Sequence, residues 1–341
     1  MSAVDMTIAP SMPLRLPAGH PPMLVVIIDT EEECPWGSYS RQNTAVRAMR
    51  RARRAQVIFD QFGIRPAYLV DYPVASQPDG YLPLKEFADA GSAVIGAHCH
   101  PWVNPPHEEP VTLPNTFHGN LEPPLESAKL RILTETIEGS FGARPKVFKA
   151  GRYGFGPHTA SILVELGYLV DCSPSPAFDF TREGGPDYSG WDAGPRWWDA
   201  GQRLLALPTT GAFVGFLRAG GARLHRLMAT PAARALRCGG VLSRLGAFER
   251  IRLSPEGFTF AEMRRLTEDL LGRGVQVMTF SFHSPSLEPG NTPYVRGAEE
   301  LSKFLDLFRR YFDFWFSQIQ GRASTPLELR QQFLPSDSQS I

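Results

Sequence analysis

The sequence predicts an α/β fold in which parallel strands alternate with helices. Short apolar, β-branched runs recur along the 341 residues, and stretches with helical spacing of apolar residues separate them. The first run, 23–28, is apolar throughout and lies between Pro22 and an acidic cluster, which is typical of a buried parallel strand. A chain of this length can hold one α/β barrel with a large core or two small domains.

The predicted elements follow each other in the order expected of βα units. Strands are expected at the apolar runs 23–29, 66–71, 93–98, 146–150, 168–172, 203–208 and 275–283. Helices are expected at 43–62, 80–90, 121–141, 156–166, 258–272 and 296–319. The Gly-, Pro- and Arg-rich segment 174–256 is too long for a simple loop, so we predict an insertion with one or two short helices near 220–248. The ends, 1–20 and 327–341, are predicted to be disordered tails.

Composition argues against several classes of protein. Lys plus Arg and Asp plus Glu both number 35, so the formal charge is zero and no nucleic-acid partner is expected. The sequence contains no run of about 18 apolar residues, so no transmembrane segment is expected. The first 22 residues lack the basic start and apolar core of a signal peptide, and the four cysteines show no Cys-x-x-Cys spacing. We therefore predict a cytoplasmic protein, with its oligomeric state open.

The first strand ends in a row of carboxylates. Asp29 and Glu31 are two residues apart, so both point to the same side of an extended backbone. Two carboxylates at one site suit a divalent cation, or a general base beside a metal ligand. An acidic helix N-terminus explains the same residues equally well, and the later motifs are needed to decide.

Histidines follow two further strands. His98 and His100 also lie two residues apart, so both imidazoles can face one side while Cys99 faces the other. Imidazole and carboxylate together are the ligands of catalytic zinc sites. His283 ends the last predicted strand, where its near-neutral pKa suits general acid or base chemistry. Three such strand ends are difficult to explain by packing alone.

These motifs together resemble the polysaccharide deacetylase family, the NodB-homology domain of carbohydrate esterase family 4, and within it a WalW-like bacterial branch. The pieces that carry the resemblance are Asp29-Thr-Glu-Glu-Glu33, Gly96-Ala-His-Cys-His-Pro-Trp102, Lys149-Ala-Gly-Arg-Tyr-Gly154, Val170-Asp-Cys-Ser173 and Phe282-His-Ser-Pro-Ser-Leu287. They occur in the family's order. The resemblance implies an irregular (β/α)7-type barrel of the NodB / glycoside hydrolase–deacetylase kind, spanning 21–326, with the long insertion at about 174–256.

The resemblance also implies roles for individual residues. Asp29 matches the general base, and His283 matches the general acid that protonates the leaving amine. Glu31 and His98 match metal ligands. Lys149, with Arg152 nearby, matches a cation that orients the base. Tyr153 matches the residue whose backbone N–H binds the oxyanion, and Asp171 matches a carboxylate that tunes His283.

The sequence departs from the family pattern at the metal site. The family's second metal histidine lies four residues after the first, where this chain has Trp102. His100 is the nearest replacement, with His107 and His118 as further candidates. The first motif lacks the usual Asp-Asp pair, so which acid is base and which is ligand stays open.

The expected activity is metal-dependent removal of N-acetyl groups from an amino-sugar polysaccharide or glycan precursor. Zinc is the expected divalent metal, with cobalt, nickel and iron as alternatives. Trp36 and Trp102 are candidates for stacking on the carbohydrate substrate. Two alternatives are a glycan-binding member of the fold whose catalytic site has decayed, and a hydrolase of another non-peptide C–N bond in a small amide or cyclic ureide.

Overall fold

Seven parallel strands form one curled sheet that makes an incomplete barrel, as the sequence predicts. The computed structural model describes residues 13–35, 37–231, 233 and 238–334. Its strands are β1 Met23–Thr30, β2 Ala67–Val70, β3 Val94–Cys99, β4 Val147–Ala150, β5 Val170–Asp171, β6 Arg196–Trp197, β7 Leu205–Ala206, β8 Gly211–Val214, β9 Glu249–Arg252, β10 Val277–His283 and β11 Arg322–Ala323. The parallel order is β10-β1-β2-β3-β4-β5-β7, and β6 continues the sheet antiparallel to β7.

Helices lie between most of the barrel strands, as βα units require. The described α-helices are Arg53–Gln61, Tyr72–Ser76, Pro78–Asp89, Pro123–Phe141, Thr159–Glu165, Gly221–Met228, Cys238–Arg244, Phe260–Gly272, Ala298–Asp313 and Pro326–Gln332. None of the described helices is long and apolar enough to cross a membrane. The aromatic helix Ala298–Asp313 and the π-turn after it pack into the core, with Phe308, Phe312 and Trp315 fully buried.

The side chains of each strand alternate between two apolar layers. In β1, Leu24, Val26 and Ile28 face the helices, whereas Val25 and Ile27 face the barrel interior. Asp29 is the next residue on the interior side. The same alternation in the other strands places polar side chains at one end of the interior.

The gap between β7 and β10 is bridged by the insertion. The backbone N–H of Thr279 in β10 donates to Thr210 Oγ1 (2.7 Å), and the Leu253 N–H donates to the Thr210 carbonyl (2.8 Å). The Ser281 N–H in turn donates to the Leu253 carbonyl (3.2 Å). The antiparallel pair β8–β9 therefore holds the insertion against the open side of the barrel. Two short helices, Gly221–Met228 and Cys238–Arg244, occupy the region where they were predicted.

Parts of the predicted tails are ordered. Thr325 caps the helix Pro326–Gln332 through a reciprocal bond with Glu328, and Leu329 is buried, so the prediction of a tail from 327 is wrong over this helix. At the other end Leu16 is buried, and the Leu14 N–H donates to the Pro195 carbonyl (2.7 Å). The rest of the predicted tails, 1–12 and 335–341, lies outside the described residues.

Candidate active site

The polar side chains at the carboxyl ends of the strands meet in one cavity of about 230 Å³. Register pairs Asp29 of β1 directly with His283 of β10, and His98 of β3 with Lys149 of β4. The interior faces of β1, β3 and β10 therefore bring Asp29, His98 and His283 to the cavity, and Lys149 lies behind Asp29. Cys99, which alternation points the other way, is buried in the apolar layer under the helices.

Glu31, His98 and His100 form a cluster that can hold a metal ion. Their candidate ligand atoms lie within 4.8 Å of one another. The Nε2 atoms of His98 and His100 are each 3.5 Å from Glu31 Oε2. Of the two reserve candidates, His107 is exposed, and His118 is buried against Glu126 at 3.0 Å. The structure thus places His100, rather than these two, beside Glu31 and His98.

In both histidines of the cluster, Nε2 faces Glu31 and Nδ1 contacts a protein oxygen that orients the ring. His98 Nδ1 lies 3.1 Å from the Lys149 carbonyl oxygen, and His100 Nδ1 lies 2.7 Å from Glu32 Oε2. A hydrogen bond from Nδ1–H leaves the Nε2 lone pair available to a metal. Burial, the largest effect, lowers the pKa of both imidazoles, which favours the neutral form that ligates metals.

Glu32 is a residue that the sequence analysis missed. Its Oε1 accepts a hydrogen bond from Trp102 Nε1 (2.9 Å), and its backbone N–H donates to Asp71 Oδ2 (2.7 Å). Burial raises the pKa of Glu32 to about 8 and that of Asp71 well above its usual value. A third acid after Asp29 and Glu31 was visible in the sequence, but strand alternation points it away from the cavity.

Trp102 supports the metal cluster. Its ring stacks on His100 with centroids 4.2 Å apart, and only 2% of the residue is exposed. This burial contradicts the prediction that Trp102 stacks on a sugar, because the ring face that would bind the sugar is already covered. The other predicted stacking residue, Trp36, lies outside the described residues.

Asp29 and Lys149 form a buried ion pair. Lys149 Nζ donates to both carboxylate oxygens of Asp29, at 2.7 and 2.6 Å. Burial by itself raises the pKa of Asp29, but the Lys149 ammonium, aided by His98 and His283, outweighs it and holds that pKa below its usual range. Asp29 therefore stays ionised at neutral pH. Lys149 thus contacts both oxygens of the residue that the resemblance expects a cation to orient.

His283 lies on the other side of Asp29, with its Nε2 3.5 Å from Asp29 Oδ2. Its Nδ1 is 2.6 Å from Glu256 Oε2, and its backbone N–H donates to Glu256 Oε1 (3.1 Å). Burial lowers the pKa of His283, but the carboxylates of Glu256 and Glu31 outweigh this effect and raise the pKa to about 10. The imidazole is therefore protonated at neutral pH.

The prediction that Asp171 tunes His283 is wrong. Asp171 accepts hydrogen bonds from the Ser173 N–H (3.1 Å) and from Trp198 Nε1 (2.9 Å). The physical reason is sheet order, because β5, which carries Asp171, lies five strands away from β10. Glu256, which sequence reasoning missed, contacts His283 instead.

Arg152 does not substitute for Lys149. Its guanidinium pairs with Glu183 and Thr116 and lies over the Phe117 ring at 4.1 Å. Arg152 and Tyr153 both adopt left-handed backbone angles, with φ of 54° and 61°. Two consecutive non-glycine residues in this region are uncommon, and such strain clusters at functional sites. The predicted oxyanion donor, the Tyr153 N–H, lies in this strained turn.

The cavity has aromatic walls, and of the four residues that follow the sequence analysis assigned only Tyr153 to the site. Tyr39, Tyr153, Phe180 and Tyr294 line it together with the titratable groups. Tyr153 and Phe180 stack on each other with centroids 5.1 Å apart. Aromatic faces of this kind suit the apolar face of a sugar ring. Tyr39, Phe180 and Tyr294 are scattered along the chain, which is why no local motif indicated them.

Comparison with solved structures places this geometry in a known fold. An assigned polysaccharide deacetylase from Mycobacterium smegmatis is similar with a TM-score of 0.56 and 14% identity, covering 94% of this chain and 93% of the other. Puue Allantoinase gives 0.56 and 13%, covering 98% and 97%. An assigned polysaccharide deacetylase from Pseudomonas aeruginosa PAO1 gives 0.52 and 13%, covering 91% and 90%. The chain has the polysaccharide deacetylase fold.

The similarity to the polysaccharide deacetylase fold is structural. No family model matches the sequence, and no curated protein matches it significantly. The identities of 13–14% show the fold alone. Within that fold, the WalW-like branch stays a prediction. The chemistry has to be argued from the cavity itself.

Proposed function

We propose that the protein is a metal-dependent hydrolase that removes N-acetyl groups from an amino-sugar glycan. The observation that carries the proposal is the convergence of three kinds of group on one cavity. These are a metal cluster built around Glu31, a buried ionised acid, Asp29, and a protonated histidine, His283. The fold, which is that of polysaccharide deacetylases, supports this class of reaction.

The donor set fits a catalytic divalent metal. One carboxylate and two neutral imidazoles leave a coordination position open, as catalytic zinc sites do. The fit is supported by His98 and His100, whose Nδ1 atoms are already engaged and whose Nε2 atoms converge on Glu31. When bound, such an ion supplies Lewis acidity toward a carbonyl oxygen and lowers the pKa of water. Zinc is the proposed metal, with cobalt, nickel and iron as alternatives.

Asp29 is the proposed proton acceptor. Lys149 keeps it ionised and fixes both of its oxygens, so its orientation toward the cavity is set before substrate arrives. A carboxylate with a lowered pKa is a weak base. It therefore suits removal of a proton from an acidified water and not from bulk water.

His283 is the proposed proton donor, and the turn at Tyr153 the proposed oxyanion site. Cleavage of an amide releases an amine, which must gain a proton to leave. The protonated imidazole, held by Glu256, can supply it. A backbone N–H at Tyr153 would stabilise the negative charge that develops on the carbonyl oxygen, a role that depends on position and not on side-chain identity.

The test combines metal content with acetate release from chitooligosaccharides and acetylated peptidoglycan fragments. We expect about one metal ion per chain, which the double variant His98→Ala/His100→Ala should lose together with activity. His158→Ala, which removes an exposed histidine outside the cavity, is the matched control and should retain both. A wild-type protein that holds no metal after reconstitution and releases no acetate would contradict the proposal.

A second candidate function is hydrolysis of a C–N bond in a small cyclic ureide. The observation that favours it is the similarity to Puue Allantoinase, which matches the fold as well as the first deacetylase does. Allantoin belongs in the same screen as the glycans, with ureide loss and acetate release measured in parallel. Turnover of allantoin alone would favour the ureide reading.

The decayed glycan-binding alternative has less support. It rested on Trp102 at a ligand position and on lysine in place of arginine. His100 lies beside Glu31 and His98, and Lys149 contacts both oxygens of Asp29. Both departures are therefore compensated by residues of this chain. Glycan binding that survives chelation and Asp29→Ala, without acetate release, would revive this alternative.

A further inference from the structure

One charged side chain in the cavity has no opposite charge to balance it. Lys149 pairs with Asp29, His283 with Glu256, and Arg152 with Glu183. Arg252 also lines the cavity, yet in the described part of the chain no carboxylate oxygen lies within 4.0 Å of its guanidinium. An arginine is charged at every physiological pH. The cavity therefore has an uncompensated positive charge in its wall.

The hydrogen bonds of Arg252 go to neutral groups. Its Nη1 donates to the Tyr153 hydroxyl (2.7 Å), and its Nη2 donates to Ser175 Oγ (2.9 Å). Its Nε is buried and has no partner among the described residues. A guanidinium has five N–H donors, so one N–H on Nη1 and one on Nη2 remain for a ligand besides the buried Nε–H. The two neutral contacts fix the plane of the group, as a site built for an oxyanion requires.

A second arginine extends this charge along the insertion. Arg250 and Arg252 are alternate residues of β9, separated by Ile251, which is fully buried in the core. The guanidinium carbons of both arginines lie 4.0 Å from the Phe178 ring centroid. Burial, together with the charge of Arg252, lowers the pKa of Arg250 to about 10.

The neighbouring residue of the same strand, unlike Arg250, has a partner of opposite charge. Glu249, next to Arg250 in the chain, forms an ion pair with Arg265 and accepts a hydrogen bond from Ser243 (2.8 Å). Within the described residues Arg250 has no ion pair of this kind. Two like charges held on one aromatic ring repel each other, and Asp179 offsets only part of this effect, since the pKa of Arg250 stays lowered. A ligand that supplies negative charge would stabilise both arginines.

We propose that the substrate carries an oxyanion, a phosphate or a sugar carboxylate, which Arg252 binds inside the catalytic cavity and Arg250 attracts toward it. The proposal rests on the proposed function, and it names the class of glycan: an acidic N-acetylated sugar and not a neutral chitin-like polymer. Arg252 is then a specificity-determining residue. The aromatic walls bind the sugar ring, and the guanidinium selects its charged substituent.

The test is binding of three sugars to the full chain by calorimetry: N-acetylglucosamine 1-phosphate, N-acetylmuramic acid and neutral N-acetylglucosamine. Because a charge-assisted hydrogen bond contributes about 1.5–3 kcal/mol, we expect at least one acidic sugar to bind about 10- to 100-fold more tightly than the neutral one. The phosphate and carboxylate sugars show which oxyanion fits. Arg252→Gln should abolish the preference.

Arg264→Gln is the matched control. It removes the same charge from an exposed helix position, where Arg264 pairs with Glu268 (2.8 Å), and should preserve the preference. Arg252→Lys keeps the positive charge but lacks the planar guanidinium, so it should retain part of the preference for acidic sugars. The wild-type preference should also shrink as salt is raised, a measurement that needs no variant.

The outcomes separate this inference from the proposed function. Equal affinity for acidic and neutral sugars, or a preference that survives in Arg252→Gln, would overturn the inference even if acetate is released. A preference lost in Arg252→Gln would support it even if no substrate in the screen is deacetylated. Acetate release, measured separately, decides the proposed function.

Discussion

Two histidine–glutamate pairs at the cavity differ in the charge of the histidine although their contacts are alike. His100 Nδ1 is 2.7 Å from Glu32, and His283 Nδ1 is 2.6 Å from Glu256. Burial lowers the pKa of His100. At His283 the carboxylates of Glu256 and Glu31 outweigh burial and raise the pKa to about 10.

The difference lies in what surrounds each glutamate. Glu32 is fully buried, and burial together with the charge of Glu31 raises its pKa to about 8, so it provides little negative charge at neutral pH. Glu256 instead accepts hydrogen bonds from the His283 N–H (3.1 Å) and from Ser286 Oγ (2.5 Å), and the side chain of His283 is 21% exposed. A histidine–carboxylate pair thus serves as a neutral ligand in one setting and as a charged acid in the other.

Removing the proposed acid should have the largest effect of the changes that leave the metal cluster intact. His283→Asn preserves a polar side chain but cannot supply a proton. We expect kcat to fall by about 10²- to 10⁴-fold, with metal content unchanged, measured by steady-state acetate release and elemental analysis. Loss of metal in this variant would place His283 among the ligands and end the contrast between the two pairs.

For the pair of His100 and Glu32 we expect the opposite result, a loss of metal affinity. Glu32 accepts one hydrogen bond on each oxygen, from His100 Nδ1 and from Trp102 Nε1. Glu32→Gln has a single amide oxygen and cannot make both contacts, so the orientation of His100 weakens. We expect metal affinity to fall by about 10- to 100-fold, measured by competition with a chelating dye.

Glu126→Gln is the matched control for this change. Glu126 contacts His118 at 3.0 Å in another buried histidine–glutamate pair, whose histidine is not in the metal cluster. Its substitution should leave metal affinity unchanged. An equal loss in both variants would mean that general destabilisation, and not the orientation of His100, causes the effect.

The residues of the two pairs also show which parts of the site could be predicted from the sequence. Asp29, Glu31, His98, His100 and His283 were assigned to one site because each follows an apolar strand, and parallel strands end at one edge. Alternation within a strand is a local property, so it predicted that Cys99 points away from the site. The fold class followed from the same alternation of strands and helices.

The partners of these residues were harder to predict because they depend on which segments become neighbours in space. Asp171 was chosen for His283, but it lies five strands away in the sheet. Glu256 follows β9 in the insertion, and β9 was not predicted because its sequence, Glu-Arg-Ile-Arg, has only one apolar residue. That single buried Ile251 is nevertheless enough to orient Arg250 and Arg252 to the opposite face.

The pH profile of Glu256→Gln measures how much of the charge of His283 comes from its partner. A donor must be protonated, so activity falls as the pH rises through the pKa of His283, about 10 in the wild type. Without the Glu256 carboxylate that pKa should decrease, and the alkaline limit of kcat should move to lower pH. We expect about a 10-fold loss of kcat at pH 8, with full metal content. An unmoved alkaline limit would mean that another group titrates.

The smallest expected effect distinguishes the two roles considered for Trp102. Trp102→Phe retains an aromatic ring against His100 but removes the N–H that Trp102 donates to Glu32 (2.9 Å). The loss of one hydrogen bond to a buried carboxyl group costs about 1 kcal/mol, so metal affinity should fall about 5-fold, with KM for the glycan unchanged. If Trp102 instead stacked on the sugar, KM would change and metal affinity would not. Chelator competition and steady-state kinetics therefore decide whether Trp102 supports the pair of His100 and Glu32 or binds the substrate.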